Sequence, residues 1–139
     1  MRKLVVLIIS VMSILAFSAS SFAADEKVGF VDDMTVLRQF SKFKQAQQQL
    51  ETLGKKKSDA AKAAFDKETD DKKKANIVQN LQLELRNEES KIMTPVLKEV
   101  NDTISKVAKS KGVTIVLNKA LVYYGGVDLT QDVVTALKR

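Results

Sequence analysis

Residues 41–110 read SKFKQAQQQLETLGKKKSDAAKAAFDKETDDKKKANIVQNLQLELRNEESKIMTPVLKEVNDTISKVAKS, and this stretch decides the fold. It is rich in helix-forming Lys, Gln, Glu, Ala and Leu, and its apolar residues recur at helical spacing. On the outgoing side they are Phe43, Ala46, Leu50, Leu53, Ala60, Ala61, Ala64 and Phe65, thinning from large side chains to alanines. On the return side Ile77, Leu81, Leu85, Ile92, Val96, Val100, Ile104 and Val107 follow at steps of mostly four, and the apolar weight grows again. Two long helices folded back on each other explain both trends. The tip is expected near the middle, at Thr69 to Asn76, because a turn at Gly54 would leave one helix several times longer than the other. Gly54 then costs the first helix about 1 kcal/mol against alanine. Each helix of about 30 to 35 residues would reach about 50 Å, and helices that long in so small a chain cannot bury both faces. A coiled coil, a partner or a cavity wall is implied.

Outward from this hairpin lie short β-like pieces. Lys27-Val28-Gly29-Phe30-Val31-Asp32 alternates as a strand, and Asp33 to Phe40, carrying Met34, Val36 and Leu37, reads as a capped helical turn. Ser41 is a plausible N-cap for the first long helix. After Lys111-Gly112, whose glycine suits the left-handed position at a helix end, Val113 to Asn118 and Ala120 to Tyr124 read as two tightly joined strands. Gly125-Gly126 breaks the pattern, and Asp128 or Thr130 can cap a last helix bearing Val133, Val134 and Leu137, with Lys138 and Arg139 suited to its negative end. Pro95 is the only proline. It should kink or end the return helix near Met93 and Thr94, either as a simple bend or as a hinge on which the outer part swings. The fold class is therefore α+β, a long α-helical hairpin at 41–110 protruding from a small β-rich base at 24–40 and 111–139. A base this small, with apolar strands and no disulfide, needs help from assembly, most simply a symmetric homo-oligomer.

Met1-Arg2-Lys3, the apolar run Leu4 to Phe17 and Ser18-Ala19-Ser20-Ser21-Phe22-Ala23 have the order of a secretory signal peptide. Cleavage is expected after Ala23, giving residues 1–23 as signal and a mature chain outside the cytoplasm; an uncleaved membrane anchor is the alternative, though the run falls short of the about 20 apolar residues a span needs. Losing Arg2 and Lys3 lowers the net charge from +6 to +4.

Chemistry is scarce. Cysteine and histidine are both absent, which removes the usual nucleophile, acid/base and metal ligand together. Gly54-Lys55-Lys56-Lys57-Ser58 lacks the spacing of a phosphate-binding loop, so ATP-driven work is not expected. The run from Asp66 has Asp71 where a calcium loop wants glycine and Ile77 where it wants glutamate. Adjacent acids such as Glu88-Glu89 point about 100° apart on a helix and make no paired carboxylate. No enzyme activity, cofactor or metal is expected. Lys55, Lys56, Lys57 and Lys72, Lys73, Lys74 form either a solvated face or a source of attraction for acidic partners or anionic lipid headgroups. Nucleic acid is disfavoured by the compartment and by the lack of interleaved aromatics.

A signal peptide, KVGFVDDMTVL from Lys27, a charged helical hairpin and VAKSKGVTIVLNKALVYYGGVDLTQDVVTAL from Val107 resemble the Skp/OmpH family of periplasmic chaperones, most specifically in Val28 to Leu37 and Ala108 to Leu137. The resemblance implies a homotrimer with a β-rich body and three coiled-coil tentacles around a cavity. Such proteins hold unfolded outer-membrane β-barrel proteins before membrane insertion, without ATP. Two departures are the shorter arms and Phe43, where many relatives carry a small residue. The lipopolysaccharide site proposed for some members has no matching motif here, so lipopolysaccharide stands beside anionic lipid only as a partner the lysines would attract. On this reading the oligomerisation contacts fall on Val28, Phe30, Val113, Ile115, Leu117 and Val122. Client-binding residues are Phe65, Leu83 and Met93 with Lys55 to Lys57 and Lys72 to Lys74, and Pro95 is the hinge. Stripes at helical spacing also pack their own hairpin, which is the competing role for each apolar residue named. The competing function is a structural coiled-coil adaptor that binds a folded envelope partner through the hairpin tip.

Overall fold

The computed structural model describes residues 26–138, so the signal-peptide reading of residues 1–23 and the placement of Arg139 lie outside the described residues. In chain order the elements are β1 (Val28–Val31), α1 (Asp33–Gln39), α2 (Ser41–Lys67), α3 (Asp71–Ser110), β2 (Ile115–Asn118), β3 (Val127–Asp128) and α4 (Thr130–Leu137), with one 3-10 turn at Lys119–Leu121. The chain is thus mostly helical, with a small sheet, and is α+β in class.

The sheet has three strands in the order β2-β1-β3, both pairings parallel. β1 pairs Val28 with Ile115 and Phe30 with Leu117 on one side, and Gly29 with Val127 on the other. Neighbours in register point to the same face. Gly29, Val31, Val116 and Val127 therefore face the helices, where Val31 is buried and Val116 and Val127 pack against the core. Gly29 is there because nothing larger fits: a Cβ would come within 3.0 Å of Val113 Cγ1, 3.1 Å of Leu129 Cδ1 and 3.2 Å of the Val127 carbonyl oxygen.

The core joins this face to α1, α4 and the base of the long helices through Val36, Phe40, Val100, Val107, Ala108, Val113, Leu129, Val133 and Val134. Asp32 caps α1 by accepting from the Thr35 N–H and hydroxyl, and its own N–H donates to Thr130 Oγ1 at 3.0 Å. The Phe30 carbonyl accepts from the Leu129 N–H at 2.9 Å. These bonds tie β1 and α1 to the segment that opens α4, about a hundred residues away in sequence.

α2 and α3 run antiparallel. Lys42 pairs with Glu99 and Lys57 with Glu84, each at 2.7 Å, so an advance along one helix is matched by an equal retreat along the other. At 27 and 40 residues the two helices are about 40 and 60 Å long, and the excess length of α3 carries Val107 and Ala108 into the core.

Four local expectations are corrected. Ser41 is the first helical residue rather than the N-cap; Phe40 holds that position with no side-chain cap bond, fixed instead by burial in the core. The turn is Glu68 to Asp70, and Asp71 to Asn76 are already helical, because Asp70 Oδ1 accepts from the Lys73 N–H at 3.0 Å and starts α3 there. As expected, Gly54 lies inside α2. Pro95 neither ends nor interrupts α3: both Pro95 and Lys91, whose carbonyl loses its donor, are exposed, so water can satisfy the freed oxygen. The second C-terminal strand is absent as well. Asn118 Oδ1 accepts from the Ala120 N–H at 2.8 Å and turns the chain into the 3-10 element, so Ala120 to Tyr124 leave the sheet and β1 takes Val127–Asp128 as its other neighbour.

Candidate binding surfaces

One surface is the sheet face turned away from the core. Val28, Phe30, Ile115 and Leu117, four of the six residues expected at an oligomer contact, share it by register. Ile115 is 41% exposed and Leu117 38%, while Val28 and Phe30 are half-buried. Parallel sheets are ordinarily covered on both faces, and among the described residues this one is covered on one face only. Val122, half-buried, follows the 3-10 turn rather than lying in the sheet.

Val113 is in a different place. It is 6% exposed and belongs to the core, which leaves it no surface for a second chain. Alternation from Ile115 and Leu117 assigns it to their face, but the strand has not begun at Val113. Its N–H donates to the Ala108 carbonyl at 2.9 Å while the Gly112 N–H donates to Lys109, with Gly112 at φ +67°. That is a Schellman stop, whose apolar residue after the glycine packs back on the helix.

At the base, sequence reading left out several exposed side chains. Leu121, Tyr123 and Tyr124 project from the segment after β2, the tyrosines fully exposed, and Met34 is exposed on α1. Two aromatics followed by Gly125 and Gly126, both at positive φ, were the available signal. In sequence the two glycines mark only the end of a strand. Asp128 lies on this side of the sheet; hydrogen bonds from Thr130, side chain and backbone, hold its carboxyl below the usual carboxylate range. Asp32 is lowered by the Thr35 backbone and hydroxyl in the same way.

The second surface is the outer helix pair. Phe65, Val78, Leu83 and Leu97 are exposed there, and the residues between them in sequence are mostly charged or amide side chains. Met93 is half-buried. Of the two lysine clusters, Lys72 to Lys74 open α3 next to Phe65, and Lys74 Nζ lies 5.1 Å from its ring centroid, within cation–π range. Lys55 and Lys56 are exposed farther down α2. Lys57 is engaged by Glu84, whose hydrogen bond raises its pKa above the ordinary value. The expected client residues are thus spread along the pair and do not converge on one site. Phe43, by contrast, packs against the core at the foot of α2.

Between Gln47 and Glu99 no residue is buried. A groove of about 500 Å³ lies between the two helices, floored by Leu53, Ala61, Ile77 and Leu81. Among the described residues no helix is long and apolar enough to cross a membrane.

The family described as Outer membrane protein (OmpH-like) matches residues 66–137, over half of the chain, from the last turn of α2 through α3, the C-terminal strands and α4. The Val28 to Leu37 segment lies outside the matched region. No curated protein matches the chain.

Proposed function

The chain belongs to the OmpH-like family, and from that premise we propose that it is an ATP-independent holdase of the periplasm. It keeps unfolded outer-membrane β-barrel proteins soluble until they are inserted, in a cavity between helical arms formed by residues 41–110. The observation that carries this reading is the long helix pair with no buried residue from Gln47 to Glu99 and with single apolar side chains set among charges. Scattered apolar contacts on a charged wall bind many sequences weakly and do not self-associate as one large patch would. Family membership supports a chaperone role for outer-membrane proteins and argues against an enzyme.

The uncovered sheet face supports the second part of the proposal, a homotrimer whose body forms from residues 24–40 and 111–139. Val28, Phe30, Ile115 and Leu117 are its central contacts and Val122 is peripheral. The lysines of residues 55–57 and 72–74 add attraction for acidic clients or anionic lipid, a contribution that falls with salt.

Dilution of a urea-unfolded β-barrel protein into the purified chain without nucleotide tests the function. Native mass spectrometry should show a trimer that gains one client, with the client kept in solution. A client that precipitates while the protein remains unliganded would overturn the holdase, and binding of one native envelope protein instead, lost on mutation of Glu68 to Asp70, would establish the adaptor.

A further inference from the structure

We propose that the groove between α2 and α3 at Ala60 and Ala61 is a docking subsite for an unfolded polypeptide segment in which an apolar side chain is flanked by carboxylates. The inference rests on the holdase reading and gives it a location. The groove exists because alanines stand where the stripe of α2 would otherwise carry large side chains. Ile77 and Leu81 on α3 face them and remain only half-buried, whereas Val100 and Val107 on the same helix are buried. Its volume of about 500 Å³ falls in the range of small-ligand clefts, and it is open along its side, so a backbone can continue past an inserted side chain.

Charge selects the occupant. Two lysines and one glutamate stand on the rim, and the glutamate, Glu84, is already held by Lys57 at 2.7 Å. Lys56 is exposed and has no ion-pair partner among the described residues. The apolar floor and this lysine, which forms no ion pair although Glu51 and Asp59 border the adjoining hollow with it, together fit an aromatic or aliphatic residue with Asp or Glu beside it, and disfavour the same residue beside lysine.

The test uses the purified full-length mature protein and a labelled twelve-residue Gly/Ser peptide carrying Asp-Phe-Asp, compared with Lys-Phe-Lys and Asp-Ser-Asp versions by fluorescence anisotropy at low salt. The Asp-Phe-Asp peptide should bind about tenfold more tightly than either control, as one 1.4 kcal/mol step in affinity corresponds to that ratio. Ala61→Leu, which fills the groove, should weaken it by about the same factor while the unfolding temperature is unchanged or raised. Lys56→Glu alters only an exposed side chain, so it keeps the test open if Ala61→Leu misfolds; it should erase the preference for Asp over Lys flanks. Affinities that ignore both variants would overturn the subsite. Wild-type retention of an unfolded barrel protein, measured in parallel, separates the two ideas: intact retention with unresponsive peptides sinks the groove alone, and lost retention sinks the holdase reading with it.

Discussion

The base and the outer helix pair draw on the same apolar residue types and bury them to opposite extents. At the base, Val31, Val36, Phe40, Leu129 and Val133 are almost wholly removed from water. Along the pair, Leu53, Ile77, Leu81 and Leu85 stop at half-burial, and Phe65 and Leu83 stay in solvent. The difference comes from geometry. Two helices alone can cover only one stripe of each other, whereas the base adds a sheet face and two short helices to the same stripe. Order is concentrated at the base, and loose packing along the pair.

If that division is real, substitutions should separate into two classes. The largest effect is expected for Phe40→Ala, which empties the junction of α1, α2 and the core; about 3–5 kcal/mol should be lost in urea unfolding, with the whole base unfolding together. Leu81→Ala in the pair should leave that transition almost unmoved, and an equal loss from both would erase the distinction. Next comes Gly29→Ala, whose Cβ would press on Val113, Leu129 and the Val127 carbonyl and should cost about 1–3 kcal/mol, again in the base alone. Gly54→Ala should act in the other region and the other direction. Its Cβ meets nothing within 4 Å, so α2 should gain about 1 kcal/mol, seen as stronger amide protection along the pair and none at the base.

Acid and alkali should divide the molecule as well, with smaller effects. Asp32 and Asp128 have lowered pKa values, so their stabilisation of the base is present above the ordinary carboxylate value of 3.8 and lost as pH falls through the lower folded value. Lys57 is raised above 10.5, so its contribution to the pair is complete below that pH and lost as pH rises through the folded value. Asp128→Asn should flatten the acid limb of base unfolding, and Lys57→Met the alkaline limb of pair protection; crossed effects would break the comparison.

The helices were legible because their signal is local. Steps of four from Ile77 to Val107 need no knowledge of what lies opposite, and the return of large apolar residues toward Val107 foretold that α3 re-enters the core. The strands were less so. Val28 to Val31 and Ile115 to Asn118 alternate and were found, but whether Ala120 to Tyr124 becomes a strand depends on an available edge. β1 already has β2 on one side and accepts Val127–Asp128 on the other. Val113 was misplaced because alternation cannot tell the last residue of a helix stop from the first of a strand. The four residues that do share the outer face were legible because register preserves alternation between neighbours. The groove was half legible: the run of alanines was visible in the sequence, while the space they leave opposite Ile77 and Leu81 required the pairing of the helices.

The place of β1 at the centre of the sheet has a consequence in time. Its partners, Ile115 to Asn118 and Val127–Asp128, come more than eighty residues later. A chain threaded from its N-terminal side can therefore form the helix pair from neighbouring contacts long before its first strand finds either neighbour. Closing that loop is the slow, entropy-limited step. The helix pair shortens it by bringing Glu99 back beside Lys42, so the part of the molecule with the weakest packing becomes the guide on which the most tightly packed part is completed.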